Sequence, residues 1–558
     1  MENIVIVDPY STGENFLEDI RKRGYHPIAL WSRRNEGIFQ VMEKRRIPIM
    51  NRNRKDTDFY IEKDTYEETL EMVRHFQPKI ILPGGELGVE LSNSLAADLD
   101  LPGNKKERIP YMTNKYLMQK TLSEHGVRAI RGKVVHDLEE ALDFYRGNGL
   151  EGVVLKPYRG AGSVAVRLCD SEEELRAAYD EVFAGGNYMG GEEEGMLLQE
   201  KINGIEYVVN TVSYRGRHKL TSMFRNVKVK VSSGGNAYDR SEMLGTLETG
   251  CSSLARYMFR ALDALGIEYG NVHSELMMDE KGPVLIEVNC RPMGSSLRAD
   301  YMDKIWGHHE TDLALDAYLH PEAFLASIHA PYRTMSNGMM KYLIVEGDQD
   351  VVSSPILTLA RHQKSFFYAD LEKSVPGHLD RTVDLDTAGG TIYLANDDRG
   401  QFLKDYDFLK RVETRYGNML FAAGRKGEAE RPESLQTIEE LVEEIKPIGA
   451  VLLLSNEIRL ASGLTCVSED ELSGVNGGFQ YGILDLNFRE DEDYESMAED
   501  FFLLSEKVRT GGFIIVPERT YWHFSYGIES IEILAEAAGY LIEAPNMDTG
   551  KYVCVQKR

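Results

Sequence analysis

The sequence predicts a multidomain protein of the α/β and α+β classes, and three observations predict it. At roughly 100–200 residues per domain, 558 residues make about three to five folding units, which excludes a single small binding module. Short apolar runs alternate with helix-periodic segments near both ends of the chain, the pattern of wound α/β sheets. Between them the pattern changes to strands broken by glycine loops, as in mixed α+β domains. Composition agrees with a folded chain: 42% of residues are apolar and 28% charged, with 29 Tyr and 20 Phe.

Each element follows in order. Ile4 to Val7 is an apolar strand, Ser11 and Glu14 read as a capping box, and Phe16, Leu17 and Ile20 share a helix face. Pro27 to Trp31 is a second strand, Tyr66 to Phe76 a helix and Lys79 to Leu82 a third strand. Pro83-Gly84-Gly85 then turns into a helix over Glu86 to Ala97. This is a Rossmann-like half, and ligands gather at the carboxyl ends of such strands, so Pro83 to Glu86 either faces a site or is a plain turn. From about Asn114 to Ala330 strands and glycine loops dominate, with two helices. Pro331 to Ala423 is mixed, including Thr391 to Leu394 as strand and Phe402 to Tyr416 as amphipathic helix. Gly424 to Glu433 is charged and glycine-bearing, hence a linker. The expected domains are 1–112, 113–330, 331–423 as a lid or buttress, and 435–558.

Charge and cysteines narrow the function. With 64 Lys and Arg against 90 Asp and Glu, the net charge of −26 argues against nucleic-acid and anionic-membrane partners. Five scattered cysteines without CxxC fit neither a disulfide framework nor a thiolate zinc site, and imply a reducing, cytoplasmic setting. The N-terminus has no basic stretch before an apolar run, and nowhere do about eighteen apolar residues run together, so export and membrane spanning are not expected.

Chemistry concentrates in the middle. Gly152 to Arg167 reads strand, Lys156, glycine turn, strand. Amides exposed around Gly160, Ala161, Gly162 and Ser163 suit phosphate oxygens, with the ammonium beside them. It is not a Walker loop, lacking both the order GxxxxGK[ST] and the following helix. Met196 to Val209 places Glu200 at a strand end, bends at Asn203-Gly204 and resumes with Glu206; such a connector suits an adenine edge and a ribose diol, or is simply a hairpin. In Gly270 to Pro292 two strands meet at Asp279 to Gly282. Glu287, Asn289 and Arg291 share parity, and Glu275 lies across the hairpin. Three oxygen donors on one sheet face suit hard Mg²⁺, and burying carboxylates and an arginine there without an ion costs several kcal/mol; the alternative is an exposed polar face. His273 either orients a substrate carboxylate, accepts a proton from an amine, or is structural. Arg225, Lys228 and Lys230 either attract an anionic substrate or form a solvated basic edge, and His308 and His309 read as surface residues.

In order and spacing, Lys115, Lys156, the glycine hairpin, Glu200, Glu206, Glu275 and Glu287-Val-Asn-Cys-Arg291 resemble the ATP-grasp superfamily of carboxylate–amine ligases, over about residues 1 to 425. Val272 to Glu275 and Gly294-Ser295-Ser296 are similar to the bacilysin-type L-amino-acid ligases. The resemblance implies a pre-ATP-grasp domain at the N-terminus and an ATP-grasp domain with a lid. It implies that Lys115 and Lys156 grip ATP phosphates, Gly160 to Ser163 cover them, Glu200 and the Ile202 backbone read adenine, and Glu206 holds the ribose. Glu275, Glu287 and Asn289 would bind two Mg²⁺ ions, or Mn²⁺, and Arg291 would stabilise an acyl phosphate. The hairpin has fewer glycines than the carboxylase branch. The implied reaction joins a small-molecule carboxylate, an amino acid's, to an amine. Two alternatives stand beside it: a biotin-dependent carboxylase, since Met340-Lys341 is similar to a biotin-attachment dipeptide, and a non-catalytic ATP-binding scaffold.

After 435, the runs Ala450 to Leu454, Gly482 to Leu486, Thr510 to Val516 and Tyr552 to Val555 read as strands, with helices at Met497 to Val508 and Ile528 to Ala538. The segment resembles the distal part of a class I methyltransferase, without GxGxxG after Leu454. The resemblance implies a degenerate, Rossmann-like partial domain for interaction, a homodimer contact included, with a working methyltransferase as the alternative.

Overall fold

A computed structural model of the chain describes residues 2–33, 46–157, 166–184, 195–231, 236–245, 248, 250–351, 354–371, 377–385, 387–415, 440–441, 450–455, 465–472, 474–486, 494–517, 520, 528–542 and 552–557. Two compact units emerge: Met1–Val227 with Ser241–Ser336, and Lys228–Arg240 with Asn337–Arg558.

The first unit opens with parallel strands β1 (Asn3–Val7), β2 (His26–Trp31), β3 (Asp58–Ile61) and β4 (Pro78–Pro83), in the order β3-β2-β1-β4. Ile4 to Val7 are fully buried, as expected of a parallel strand covered on both faces. The chain changes direction across the sheet at β1, so the carboxyl ends of β1 and β4 border a crevice. Their loops close tightly there: a Cβ on Gly13 would lie 2.0 Å from the Gly84 carbonyl oxygen, which only glycine avoids.

A second sheet, β5 (Gly132–Val135), β6 (Val153–Lys156), β7 (Arg167–Cys169) and β8 (Met196–Glu200), is antiparallel in the order β5-β8-β6-β7. Helices Leu138–Gly147 and Glu172–Ala184 cover its apolar face. The third sheet contains β9 (Ile205–Tyr214), β10 (Arg217–Lys230), β11 (Asn236–Met243), β12 (Gly270–Asp279) and β13 (Gly282–Asn289), in the order β13-β12-β9-β10-β11. Strand alternation sorts its two faces. Tyr207 and Val209 pack with helix Cys251–Leu265, while Val212 and Tyr214 pack with helix Glu310–Leu319. The middle of the chain holds more helices than the two expected, because Lys115–Glu124, Leu138–Gly147, Glu172–Ala184 and Ala299–Trp306 are amphipathic segments embedded among strands.

Two local expectations are corrected. Ser11 is no N-cap: Ser11–Glu14 is a 3₁₀ turn without a side-chain cap, and the Ser11 hydroxyl accepts from the Ser296 amide at 2.8 Å. His309 is buried, not superficial. Its Nδ1 lies 2.7 Å from Asp303 and its Nε2 3.1 Å from Asp19, which ties helix Asn15–Lys22 to the start of Glu310–Leu319. His308 likewise turns inward, Nε2 lying 3.0 Å from the Thr221 carbonyl oxygen.

In the second unit, residues 228–240 carry the far ends of β10 and β11, and the sheet order there is β11-β14-β18-β16. Its strands are β14 (Asn337–Tyr342), β16 (Phe366–Leu371) and β18 (Gly390–Asn396), while β15 (Gln349–Val351) pairs with β17 (Gly377–Leu379). Six more strands follow: β19 (Val451–Ser455), β20 (Thr465–Val467), β21 (Phe479–Asp485), β22 (Val508–Pro517), β23 (Tyr540–Ile542) and β24 (Tyr552–Lys557). They lie in the order β20-β19-β21-β22-β24-β23, parallel except for β24, which runs against both neighbours. One core joins Leu343, Ile392 and Leu409 to Leu452, Phe501 and Val555, so the segments on either side of the expected linker share a core. The linker itself, 424–433, lies outside the described residues.

Lys341 is no biotin-attachment lysine. It is 1% exposed on β14, its Nζ 2.7 Å from Glu413 and 3.2 Å from Asp239, and Lys410 bonds both carboxylates. A biotinyl lysine must reach solvent, and this ammonium instead neutralises buried anions. Among the described residues no helix is long and apolar enough to cross a membrane.

Burial works to lower the His309 pKa, but Asp19 and Asp303 outweigh it and raise it to about 10. The folded state therefore holds a proton that the unfolded state releases near the ordinary imidazole value of about 6.5. This stabilisation is full below about 6.5 and lost as pH rises to about 10. Urea unfolding should show stability falling by a few kcal/mol across that window, and His309→Gln should flatten the dependence.

Candidate active site

The site grows from the face of β12 and β13 turned away from helix Cys251–Leu265, whose core takes Val272, Leu276, Leu285 and Val288. Alternation leaves His273, Glu275, Glu287 and Asn289 on the other face. The register sets Glu275 directly opposite Glu287 and His273 opposite Asn289. Asn289 donates Nδ2–H to Glu287 Oε1 at 3.0 Å, which leaves its Oδ1 as a further acceptor.

Cations converge on these acids from two elements. Lys115 begins helix Lys115–Glu124, which Asn114 caps by accepting from the Leu117 amide and which Gln119 fastens to β13 through the Leu285 carbonyl. So placed, Lys115 Nζ lies 2.7 Å from Glu287 Oε2. Lys156 ends β6 and is buried; electrostatically it is coupled to Glu287, Lys115 and Glu275. Burial lowers the Lys156 pKa to about 8, with Lys115 adding to the effect and the two glutamates opposing it. Burial pulls Lys115 down too, but Glu287 outweighs it and the net shift is upward. For Glu287, burial raises the pKa, yet Lys115 and the Asn289 amide prevail and hold the carboxyl well below its usual range.

After β13 the chain turns, the Arg291 amide donating to the Asn289 carbonyl at 2.8 Å. Arg291 Nε then donates to Glu86 Oε2 at 2.9 Å. Glu86 follows the glycine turn at the carboxyl end of β4, so that turn does face the site. The loop that follows Arg291 is pinned to the N-terminal loop: Thr12 Oγ1 donates to the Gly294 carbonyl at 2.8 Å and accepts from the Leu297 amide at 2.9 Å.

The residues expected to read the nucleoside lie at the β8–β9 connector. Glu200 accepts from Arg131 Nε at 2.7 Å, which lowers its pKa, and Ile202 is half-buried just beyond. Glu206 accepts from Asn226, its cross-strand partner, at 2.7 Å. The bend needs its glycine, since a Cβ on Gly204 would meet the Met278 carbonyl oxygen at 2.3 Å. Gly160, Ala161, Gly162 and Ser163 lie outside the described residues. Arg225 is paired with Glu242 rather than free for an anion.

Sequence reasoning missed Asn210 and Glu310, both buried behind His273. The signal for Asn210 was a lone amide inside the apolar run Tyr207 to Val212; Glu310 had none beyond its place at a helix start.

The donor set suits a divalent cation: two carboxylates and an amide oxygen on one strand face are the hard ligands that Mg²⁺ takes alongside water and phosphate oxygens.

The fold and this site define the class, and residues 151–300 match the family model of the ATP-grasp domain. Over that span the chain carries an ATP-grasp domain. It is 28% identical to dapdiamide A synthase of Enterobacter agglomerans over 327 residues, 58% of this chain and 75% of that one. Among solved structures, the L-amino acid ligase from Bacillus licheniformis superposes with a TM-score of 0.57 at 17% identity, covering 74% of this chain and 97% of that chain. The biotin carboxylase domain dimer of the Hydrogenobacter thermophilus 2-oxoglutarate carboxylase, solved with MgADP, ADP and bicarbonate, gives a TM-score of 0.51 at 14% identity, over 76% and 99%.

Replacing Glu287 by Gln keeps the shape and removes one anionic oxygen donor. Lys115 retains Glu275 and Glu86 in its field, so the fold should survive. ADP release from MgATP should fall at least about 100-fold, with the thermal unfolding profile little changed; a nearly normal rate would count against Glu287 as a metal ligand.

Proposed function

We propose that the protein is an ATP-dependent carboxylate–amine ligase that joins the carboxylate of an amino acid to an amine, dipeptide fashion, through an acyl phosphate. The observation that carries this reading is the convergence of Lys115 on the Glu275, Glu287 and Asn289 face, electrostatically coupled to Lys156 and followed by the Arg291–Glu86 pair.

A carboxylate oxygen of the first substrate attacks the γ-phosphorus; the bond to the β-phosphate oxygen breaks and ADP leaves. The amine nitrogen of the second substrate then attacks the acyl carbon. The C–N bond forms, the C–O bond to phosphate breaks, phosphate departs with the electron pair, and the nitrogen's proton passes to solvent. Lys115 and Lys156 hold the phosphates as fixed cations in a site shielded from water, where their charge acts strongly. Arg291 orients the reacting carboxylate and then the acyl phosphate, while Glu86 offers its carboxylate to a substrate ammonium beside it. Glu200 and the Ile202 backbone take the adenine edge, Glu206 the ribose, and Gly160 to Ser163 cover the phosphates. Two Mg²⁺ ions, or Mn²⁺, held by Glu275, Glu287 and Asn289 would neutralise charge on the transferring phosphoryl group.

The same reading places the reaction in the cytoplasm, which the buried, unbridged thiols Cys169, Cys251 and Cys290 support. Residues 435–558 are taken as a degenerate methyltransferase-like module that serves homodimer contact; the reversed strand β24 between β22 and β23 supports the methyltransferase likeness.

The full chain with MgATP and a panel of amino acids, singly and in pairs, provides the test. ADP and a product with the summed mass of the pair less water are expected. AMP would redirect the chemistry to adenylation, and turnover that requires bicarbonate would favour a carboxylase.

A further inference from the structure

The sheet of β5, β8, β6 and β7 gives one face to its two helices and the other to the site. Val153, Leu155, Met196 and Leu198 pack with the helices, so alternation turns Val154, Lys156, Leu197 and Gln199 the other way. Lys156 shows what that second face meets, since it is coupled to Glu287, Lys115 and Glu275. Glu200 has the opposite parity and spends its carboxylate on Arg131, which leaves its backbone for a base. The polar side chain that β8 turns to the Lys156 face, just before the connector, is Gln199.

Gln199 is 1% exposed, and its Nε2 has no hydrogen-bond partner among the described residues. A donor shut off from water without a partner costs stability, so its retention calls for an explanation. The stem of the side chain lies over Gly132, where a Cβ would meet Gln199 Cγ at 2.9 Å. On the other flank Val154 is only half-buried, so the face opens there. Lys156 pairs with Leu197, and Gln199 stands two residues further along β8, about 7 Å away. The two side chains thus mark the ends of a nucleoside phosphate, an ammonium for the anion and a carboxamide for the base.

A carboxamide offers one donor and one acceptor side by side, whichever way its amide is turned. Adenine presents the complementary pair, a hydrogen on N6 and the lone pair of N7, whereas guanine presents two acceptors, O6 and N7. We propose that Gln199 sets the base specificity of the site: its Oε1 accepts from N6–H of adenine and its Nε2 donates to N7, while the backbone of Glu200 and Ile202 takes the other N6 hydrogen and N1. Guanine leaves Oε1 facing O6 with no hydrogen between them, so the carboxamide selects against it. This rests on the reading that the site takes ATP and is independent of what the site joins.

The test is a calorimetric titration of the full chain with MgADP and with the magnesium complex of 7-deaza-ADP, in which a C–H replaces N7. The unaltered protein should bind the deaza nucleotide about tenfold more weakly. Gln199→Met keeps the length of the side chain and removes both polar atoms. It should weaken MgADP about tenfold and bind the two nucleotides about equally, because nothing is left to sense N7. Its preference for MgADP over MgGDP should shrink by a similar factor. A merely structural role for Gln199 would weaken both adenine nucleotides alike and keep their ratio. Should Gln199→Met not fold, as judged by thermal unfolding, Gln199→Leu carries the same expected loss of the ratio.

An unaltered protein that binds the two nucleotides equally overturns the proposal, whatever the variants do. A folded variant that keeps the tenfold ratio overturns it as well, and the ATP reading then stands alone. If MgADP does not bind the unaltered protein, both fall together. If the ratios behave as expected and no amino acids condense, the ligase reading fails while the role of Gln199 stands.

Discussion

Glu275 and Glu287 stand across one antiparallel pair, and their like charges repel unless cations gather around them. Much of the first unit supplies those cations. The helix from Lys115 is capped and fastened to β13, β6 ends at Lys156, and the turn after β13 delivers Arg291 to Glu86. The arrangement is poised between surplus negative charge on the sheet and positive charge along its rim. A ligand that brings both a polyanion and a divalent ion satisfies each side at once.

The cross-strand register that pairs the glutamates also builds the layer behind them. Because side chains alternate, the row holding Asn289 and His273 continues into Asn210 and Ser222 without further design, and one helix start then determines the row's hydrogen-bond direction. Such second layers give the groups in front of them a fixed orientation, here because Asn210 and Ser222 are both held by Glu310.

Much of this was legible in the sequence because it depends on parity and order. Glu287, Asn289 and Arg291 share a face by alternation alone, and the wound sheet at the start shows in the runs Ile4 to Val7 and Lys79 to Leu82. What stayed hidden depends on distant partners. Ser11 looks like a cap, but the Ser296 amide, far along the chain, competes for its hydroxyl. His309 looks superficial because nothing near it in sequence announces Asp19. Met340-Lys341 carries the right letters for a modified lysine, yet its burial depends on Asp239 and Glu413, roughly a hundred and seventy residues apart along the chain. Glu310 gave no local sign, since its role comes from the strand beneath it.

The discontinuity of the second unit bears on how the polypeptide matures. Residues 228–240 emerge from the ribosome about a hundred residues before the strand that carries Lys341, and Asp239 must wait for that ammonium and for Lys410 to arrive. Translation therefore leaves Asp239 for a time with Arg240 but without Lys341 and Lys410, and the two halves cannot be separated at one cut. A fragment starting at Asn337 would inherit the lysines but not the aspartate that they neutralise. Any history in which the C-terminal half was once an independent protein must include the later capture of this loop.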